Sequence, residues 1–189
     1  MAGGRPIEFP VEGLVDGDLR VRLIADADIP AIVEACRDPE IRRWTRVPDD
    51  YTEDDARDWV GIANRSAAEG AALRLLVTDA QSDELLGSVG LVVVDPDEAR
   101  AELGYWLAAG HRGRGVATRA VWALSAWAFA ELGIGRLSIT AEPENSPSAR
   151  VAERAGYTFE GILRSWHVNN GTRRDVAMYS LLPGELPST

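Results

Sequence analysis

The stretch from Glu102 to Ala117 constrains the fold more than any other part of this chain. Leu103, Tyr105 and Leu107 alternate with Glu102, Gly104 and Trp106, which is the two-residue period of a strand. Gly113 and Gly115, flanked by Arg112 and Arg114, then lead into a long apolar run at helical spacing. Such a junction is built to hold an anion. The first N–H groups of a helix have no intrahelical partner and the dipole there is positive, while glycines let a phosphate approach the main chain.

The rest of the chain is read outward from this junction. Residues 1–13, rich in Gly and Pro, are expected to form a flexible lead or an edge strand. Leu19 to Ala25 alternates apolar and charged residues and reads as the first strand. Asp26 or Asp28 can cap a helix through Pro30 to Cys36, and Asp38-Pro39 starts a short helix towards Trp44. Thr45 to Tyr51 should be a loop, after which Thr52 caps a helix to about Ala68 with Asp54 and Asp55 near its positive end. Ala72 to Thr78, Leu85 to Val94 and Arg100 to Leu107 form an antiparallel meander. The apolar helix runs from about Gly115 to Leu132 and stops at Gly133.

Arg136 to Glu142 is the next strand, and strand-helix-strand over residues 101–142 implies a right-handed parallel crossover. Ser146-Pro147 places a cap residue and a first-turn proline before a helix ending at Gly156. Tyr157 to Val168 and Arg173 to Leu182, joined at Asn170-Gly171, complete a hairpin. The pattern predicts a single α/β (α+β) domain over residues 14–183, with a tail at 184–189. Its sheet is mixed but mostly antiparallel, of about six or seven strands, with helices on both faces.

Composition removes several function classes. The chain has 189 residues and a net charge of −10, which disfavours nonspecific contact with nucleic acid or an anionic membrane and favours cationic partners such as amines. No apolar run approaches the ~20 residues of a membrane helix, and Met1 to Pro10 has no secretion signal, so a cytoplasmic protein is expected. Cys36, a small core residue on this reading, cannot form an internal disulfide, and Cys36, His111 and His167 lack metal-ligand spacing. All 20 basic residues are arginine, which excludes a P-loop lysine. A dinucleotide fold is disfavoured because Thr118 stands where the third glycine belongs and only 47 residues follow Glu142.

Arg112, Gly113, Arg114, Gly115, Val116 and Ala117 match the Arg/Gln-x-x-Gly-x-Gly/Ala pattern of the GCN5-related N-acetyltransferases (GNAT). With the strand before, the helix after, Asn145 and Ser148 at the next helix start, then Gly156-Tyr157 and Glu160-Gly161, the chain resembles the branch that acetylates N-termini of ribosomal proteins, over roughly residues 18–182. The resemblance implies acetyl-CoA as cosubstrate, with its pyrophosphate held by Arg112 to Thr118, and direct transfer to an amine. It makes Glu102 the proton acceptor through a water, and backbone N–H groups near Trp106 and Leu107 the donors to the thioester oxygen. It also sets Asn145 on the pantetheine arm and Ser148 near the sulfur as donor or acid.

Plainer readings stand beside these. Glu102 could be an exposed strand residue or an ion-pair partner, Asn145 and Ser148 a local cap, and Arg112 and Arg114 part of a solvated loop. The aromatic residues Trp44, Tyr51 and Trp59 could line an acceptor cleft, although packing in the core is the usual fate of such side chains. Tyr157 is expected in the core. Asp175 and Arg164 resemble positions bordering the acceptor site and also suit a surface ion pair. The expected acceptor is a protein N-terminus, followed by a small-molecule amine; a non-catalytic acyl-CoA sensor is the rival from another class, and a homodimer is left open.

Overall fold

The strand β5 (Arg100–Leu107) forms over the residues expected for it and is where the sheet changes character. On one side it runs antiparallel to β4 (Leu85–Asp95) from Arg100 to Leu107. On the other it runs parallel to β6 (Arg136–Ala141), but only from Arg100, opposite Arg136, to Leu103, opposite Ile139. From Gly104 onward β5 keeps its pairing with β4 and parts from β6. A bulge in β4 at Val92, between Leu91 and Val93, sits where the parting begins, and bulges sharpen local twist.

The computed structural model describes residues 5–169 and 171–186. The remaining strands are β1 (Leu14–Asp16), β2 (Leu19–Leu23), β3 (Leu73–Asp79), β7 (Thr158–Asn169) and β8 (Thr172–Leu181). The sheet order is β1-β2-β3-β4-β5-β6-β8-β7, with β5–β6 the parallel pair and the other neighbours antiparallel. Among the described residues, eight strands stand where six or seven are expected. The extra one is β1, whose three residues pair with β2 and are too short to show an alternating pattern. Asn170 of the expected hairpin turn lies outside the described residues, as do 1–4 of the lead and 187–189 of the tail.

Helices cover both faces. On one side α4 (Val116–Glu131) and α5 (Ser146–Arg154) close a core that includes Leu103, Val121, Leu124, Leu137 and Ile139. On the other α1 (Ile29–Cys36) and α3 (Glu53–Ala68) bury Ile32, Cys36, Ala56 and Val60 against Leu76. Thr52 caps α3 as expected, and Asp55 returns the bond to the Thr52 amide in a capping box. Cys36 is the buried core residue expected, and desolvation pushes its thiol up to about 12.

Two local readings change. The cap of α5 is Asn145, whose Oδ1 accepts from the Ser148 amide, so Ser146 joins Pro147 in the first turn. The lead is anchored within residues 5–13, because Ile7 N donates to Ala67 O and Phe9 packs edge-on against Trp127 at 4.9 Å. Burying those two apolar side chains offsets the freedom that the glycines and prolines confer.

Candidate active site

Where β5 and β6 part, a cleft of about 1040 Å³ opens between the glycine loop, α5, and the loop that follows α2 (Pro39–Trp44). A recess of about 210 Å³ lined by Arg43, Trp44, Glu142, Glu144, Asn169 and Arg174 adjoins it, with Trp44 and Glu142 belonging to both.

The glycine loop has the form the sequence suggests. Gly113 and Gly115 have φ of 75° and 79°, in the left-handed region that glycine enters without strain. A Cβ on either would meet no protein atom within 4 Å, so open space lies over the main chain there. Gly115 caps α4 without a side chain to bond the first amides, and none of the described side chains takes them up, which leaves them for an anion. Val116, Ala117 and Thr118 line the same wall. This is the fit a pyrophosphate requires.

Arg112 is engaged elsewhere. Its Nε and Nη2 donate to the Leu107 carbonyl at 3.2 and 2.9 Å, and Nη2 bonds Asp38 at 2.5 Å. Asp38 in turn caps α2 by accepting from Glu40 N. Arg112 therefore braces the loop against the end of β5 and the start of α2, a link across 74 residues that no local pattern signals.

The walls of the gap carry the other expected residues. Ala108 N donates to Leu86 O on the β4 side, and alternate residues of a strand turn their amides to opposite sides. The Leu107 amide thus faces the gap, whereas that of Trp106 faces β4, and the Trp106 side chain packs with the α1–α3 core. Glu102 is half-buried, not an exposed strand residue, and accepts from Thr140 Oγ1 at 2.6 Å, with no ion-pair partner among the described residues.

Ser148 pairs with a residue that the sequence reading leaves in the strand. The Tyr105 hydroxyl donates to the Ser148 carbonyl at 3.0 Å and lies 2.7 Å from its Oγ. With its one proton used on the carbonyl, Tyr105 accepts from the Ser148 hydroxyl. Burial pushes Tyr105 up to about 12, partly opposed by the Ser148 bond, so the phenol stays protonated at neutral pH. Tyr157 is in the core as expected, its hydroxyl 2.8 Å from Ser125 Oγ.

The far end of the cleft is made by residues distant in sequence. Glu142 is 10% exposed and accepts from Asn169 Nδ2 at 2.8 Å, with His167 Nε2 3.5 Å away and Arg174 Nε 3.8 Å away. A bulge in β7 sets this up: Arg164, Ser165 and Trp166 stand opposite Asp175 alone, between the pairs Leu163–Val176 and His167–Arg174. Asp175 accepts from Ser165 N at 2.7 Å and Arg173 donates to Ser165 O at 2.8 Å. Asp175 is therefore the bulge's staple, not the partner of Arg164. Trp44, Tyr51 and Trp59 all line the cleft, and Tyr51 and Trp59 also pack in the α1–α3 core, so the two readings of these aromatics are not exclusive.

The architecture is that of an acyltransferase. Residues 18–158 match the family described as Acetyltransferase (GNAT) domain, and the chain belongs to that family as an N-acetyltransferase. It is 33% identical to the uncharacterized N-acetyltransferase p20 of Bacillus licheniformis, over 88% of this chain and 93% of that one. It is 34% identical to the ribosomal-protein-serine acetyltransferase of Escherichia coli, over 53% of this chain and 56% of that one. The structure of Mycobacterium smegmatis RimJ in complex with CoA-disulfide has the same fold, with a TM-score of 0.82 at 22% identity over 95% of this chain and 87% of that one. Among the described residues, no helix is long and apolar enough to cross a membrane and no group of three or more His, Cys, Asp or Glu could hold a metal ion.

Proposed function

We propose that this enzyme moves an acetyl group directly from acetyl-CoA to the α-amine of a protein N-terminus. The observation that carries the reading is the parting of β5 from β6 beside a glycine loop whose amides and open space fit a pyrophosphate. Acetyl-CoA supplies the activated acetyl group. Gly113 to Thr118 hold its phosphates, and the Asn145 amide bonds the arm that leads into the gap. The Leu107 N–H stabilises the carbonyl oxygen as it becomes negative. Glu102, fixed by Thr140, accepts a proton from the attacking nitrogen through a water, and the Tyr105–Ser148 hydroxyl pair donates one to the departing sulfur. The reaction takes place in the cytoplasm.

The choice of acceptor rests on the likeness to the ribosomal-protein-serine acetyltransferase and on the cost of reaching a neutral amine. At pH 7 that cost is roughly 1.4 kcal/mol for an α-amine and about 4.6 kcal/mol for a lysine. The recess at the far end favours a second acceptor class, a small cationic amine, because Trp44 and the Glu142 carboxylate line it together. Acetyl-CoA-dependent thiol release against peptides and small amines tests both. A peptide with a free N-terminus and blocked lysine should react faster than its converse; the opposite order refutes the α-amine preference. Reaction with small amines alone gives the second class. Acetyl-CoA binding without turnover on any amine marks a non-catalytic sensor.

A further inference from the structure

His167 and Glu142 form a second titratable pair in the cleft, which the reading above leaves without a task. His167 Nε2 is buried without a hydrogen-bond partner and lies 3.5 Å from Glu142 Oε1. A buried polar atom left unpaired is costly, so its orientation has to be made up for by another interaction. The β7 bulge sets the register that brings the imidazole to Glu142, and bulges beside active sites re-aim side chains. Asn169 holds the same carboxylate oxygen at 2.8 Å, which fixes Glu142 in place.

We propose that His167, oriented by Glu142, takes the proton from the acceptor's ammonium ion before it attacks; the proposal rests on the transferase reading above. With Nε2 turned to the carboxylate, Nδ1 is the lone pair that accepts the proton, and Glu142 stabilises the imidazolium that results. This is the usual arrangement of a base oriented by a third group. The charged groups around the imidazole act in both directions. Glu142, from the segment after β6, carries the charge opposite to an imidazolium, and Arg174, opposite His167 on β8 and 3.8 Å from Glu142 Oε2, carries the same charge. Arg43 and Glu144 border the adjoining recess, further out.

The step is needed because only about one α-amine in ten is neutral at pH 7. The ammonium gives one proton to His167 and becomes the free amine. The C–N bond then forms and the C–S bond breaks, the nitrogen's second proton passes to Glu102, and the sulfur receives one from Tyr105–Ser148. Glu102 and the hydroxyl pair are restored against each other through solvent, and His167 releases its proton, so one proton leaves per turnover.

The test compares H167Q, E142Q and E102Q on two peptides, one with an ordinary α-amine and one carrying an aminooxyacetyl N-terminus, which is neutral at pH 7. H167Q should lower kcat/KM on the α-amine about 10-fold at pH 7, the factor by which the ammonium outnumbers the free amine, with the loss shrinking as pH rises and largely vanishing on the aminooxy peptide. E142Q should follow the same pattern more weakly, whereas E102Q should slow both peptides. The thermal shift caused by acetyl-CoA should be unchanged in H167Q. An active wild type whose H167Q variant loses the same factor on both peptides, or loses nothing, overturns this proposal alone. A wild type that binds acetyl-CoA and acetylates no amine overturns the transferase reading together with it.

Discussion

The two ends of the cleft are built by different means. The glycine end is main chain: two left-handed residues and the first amides of α4, all within a few residues of one another. The far end is side chain: Trp44 from α2, Glu142 after β6, His167 and Asn169 on β7, and Arg174 on β8. A site for a constant group such as a phosphate can be made from backbone, which every sequence of the right turn chemistry provides. A site that selects an acceptor needs side chains, whose positions depend on strand register and bulges.

The largest expected effect breaks the glycine end. Replacing Gly113 and Gly115 together by valine puts side chains into the open space over the loop and strains both left-handed residues. The variant should lose the stabilisation of about 2.7 kcal/mol that a ligand at one hundred times its Kd confers, read as the absence of a melting shift with CoA. A retained shift would show that the phosphates are held elsewhere.

Next in size, Glu102→Gln should reduce turnover about 100-fold or more and leave CoA affinity nearly unchanged. A wild-type rate across neutral pH would show that another group receives the nitrogen's proton. A smaller effect should follow from Asp175→Ala, which removes the bond to Ser165 N that staples the β7 bulge. Loss of such a bond costs about 1 kcal/mol of stability. The acceptor's kcat/KM should fall while CoA binding holds, and an equal loss of both would mean that the ends are not independent.

The smallest effect concerns the link between β6 and β7. Arg136 bonds Glu160 at 2.5 Å, and this pair together with the Ser180 hydroxyl lowers the Glu160 carboxyl from an ordinary 4.5 to about 2. A carboxyl depressed in the folded state contributes stability above its unfolded value, and that contribution fades as pH falls from about 4.5 towards 2. Both side chains are more than a third exposed, so solvent screening keeps the contribution small. Urea midpoints should drop over that window, less so in Glu160→Gln; identical profiles would remove Glu160 from the account.

Much of the fold can be read from local patterns. β5, the cap of α3, the apolar helix α4 and the parallel crossover depend on neighbours two to four residues apart. The glycine loop is legible for the same reason. β1 is not, because three residues carry no period. Nor are the bulges at Val92 and Arg164–Trp166, since an inserted residue is defined only against a partner strand.

Sequence by itself determined the family, the order of the elements after β1, the glycine loop and the identities of Glu102, Asn145 and Ser148 as candidates. Tertiary structure alone decided what those side chains touch. It ties Arg112 to Asp38 across 74 residues, Tyr105 to Ser148 across 43 and Asn169 to Glu142 across 27. The physical reason is reach. Backbone geometry propagates periodicity over one or two turns or a few strand residues, whereas a hydrogen bond forms only when the packed sheet and its bulges bring two distant groups within about 3 Å.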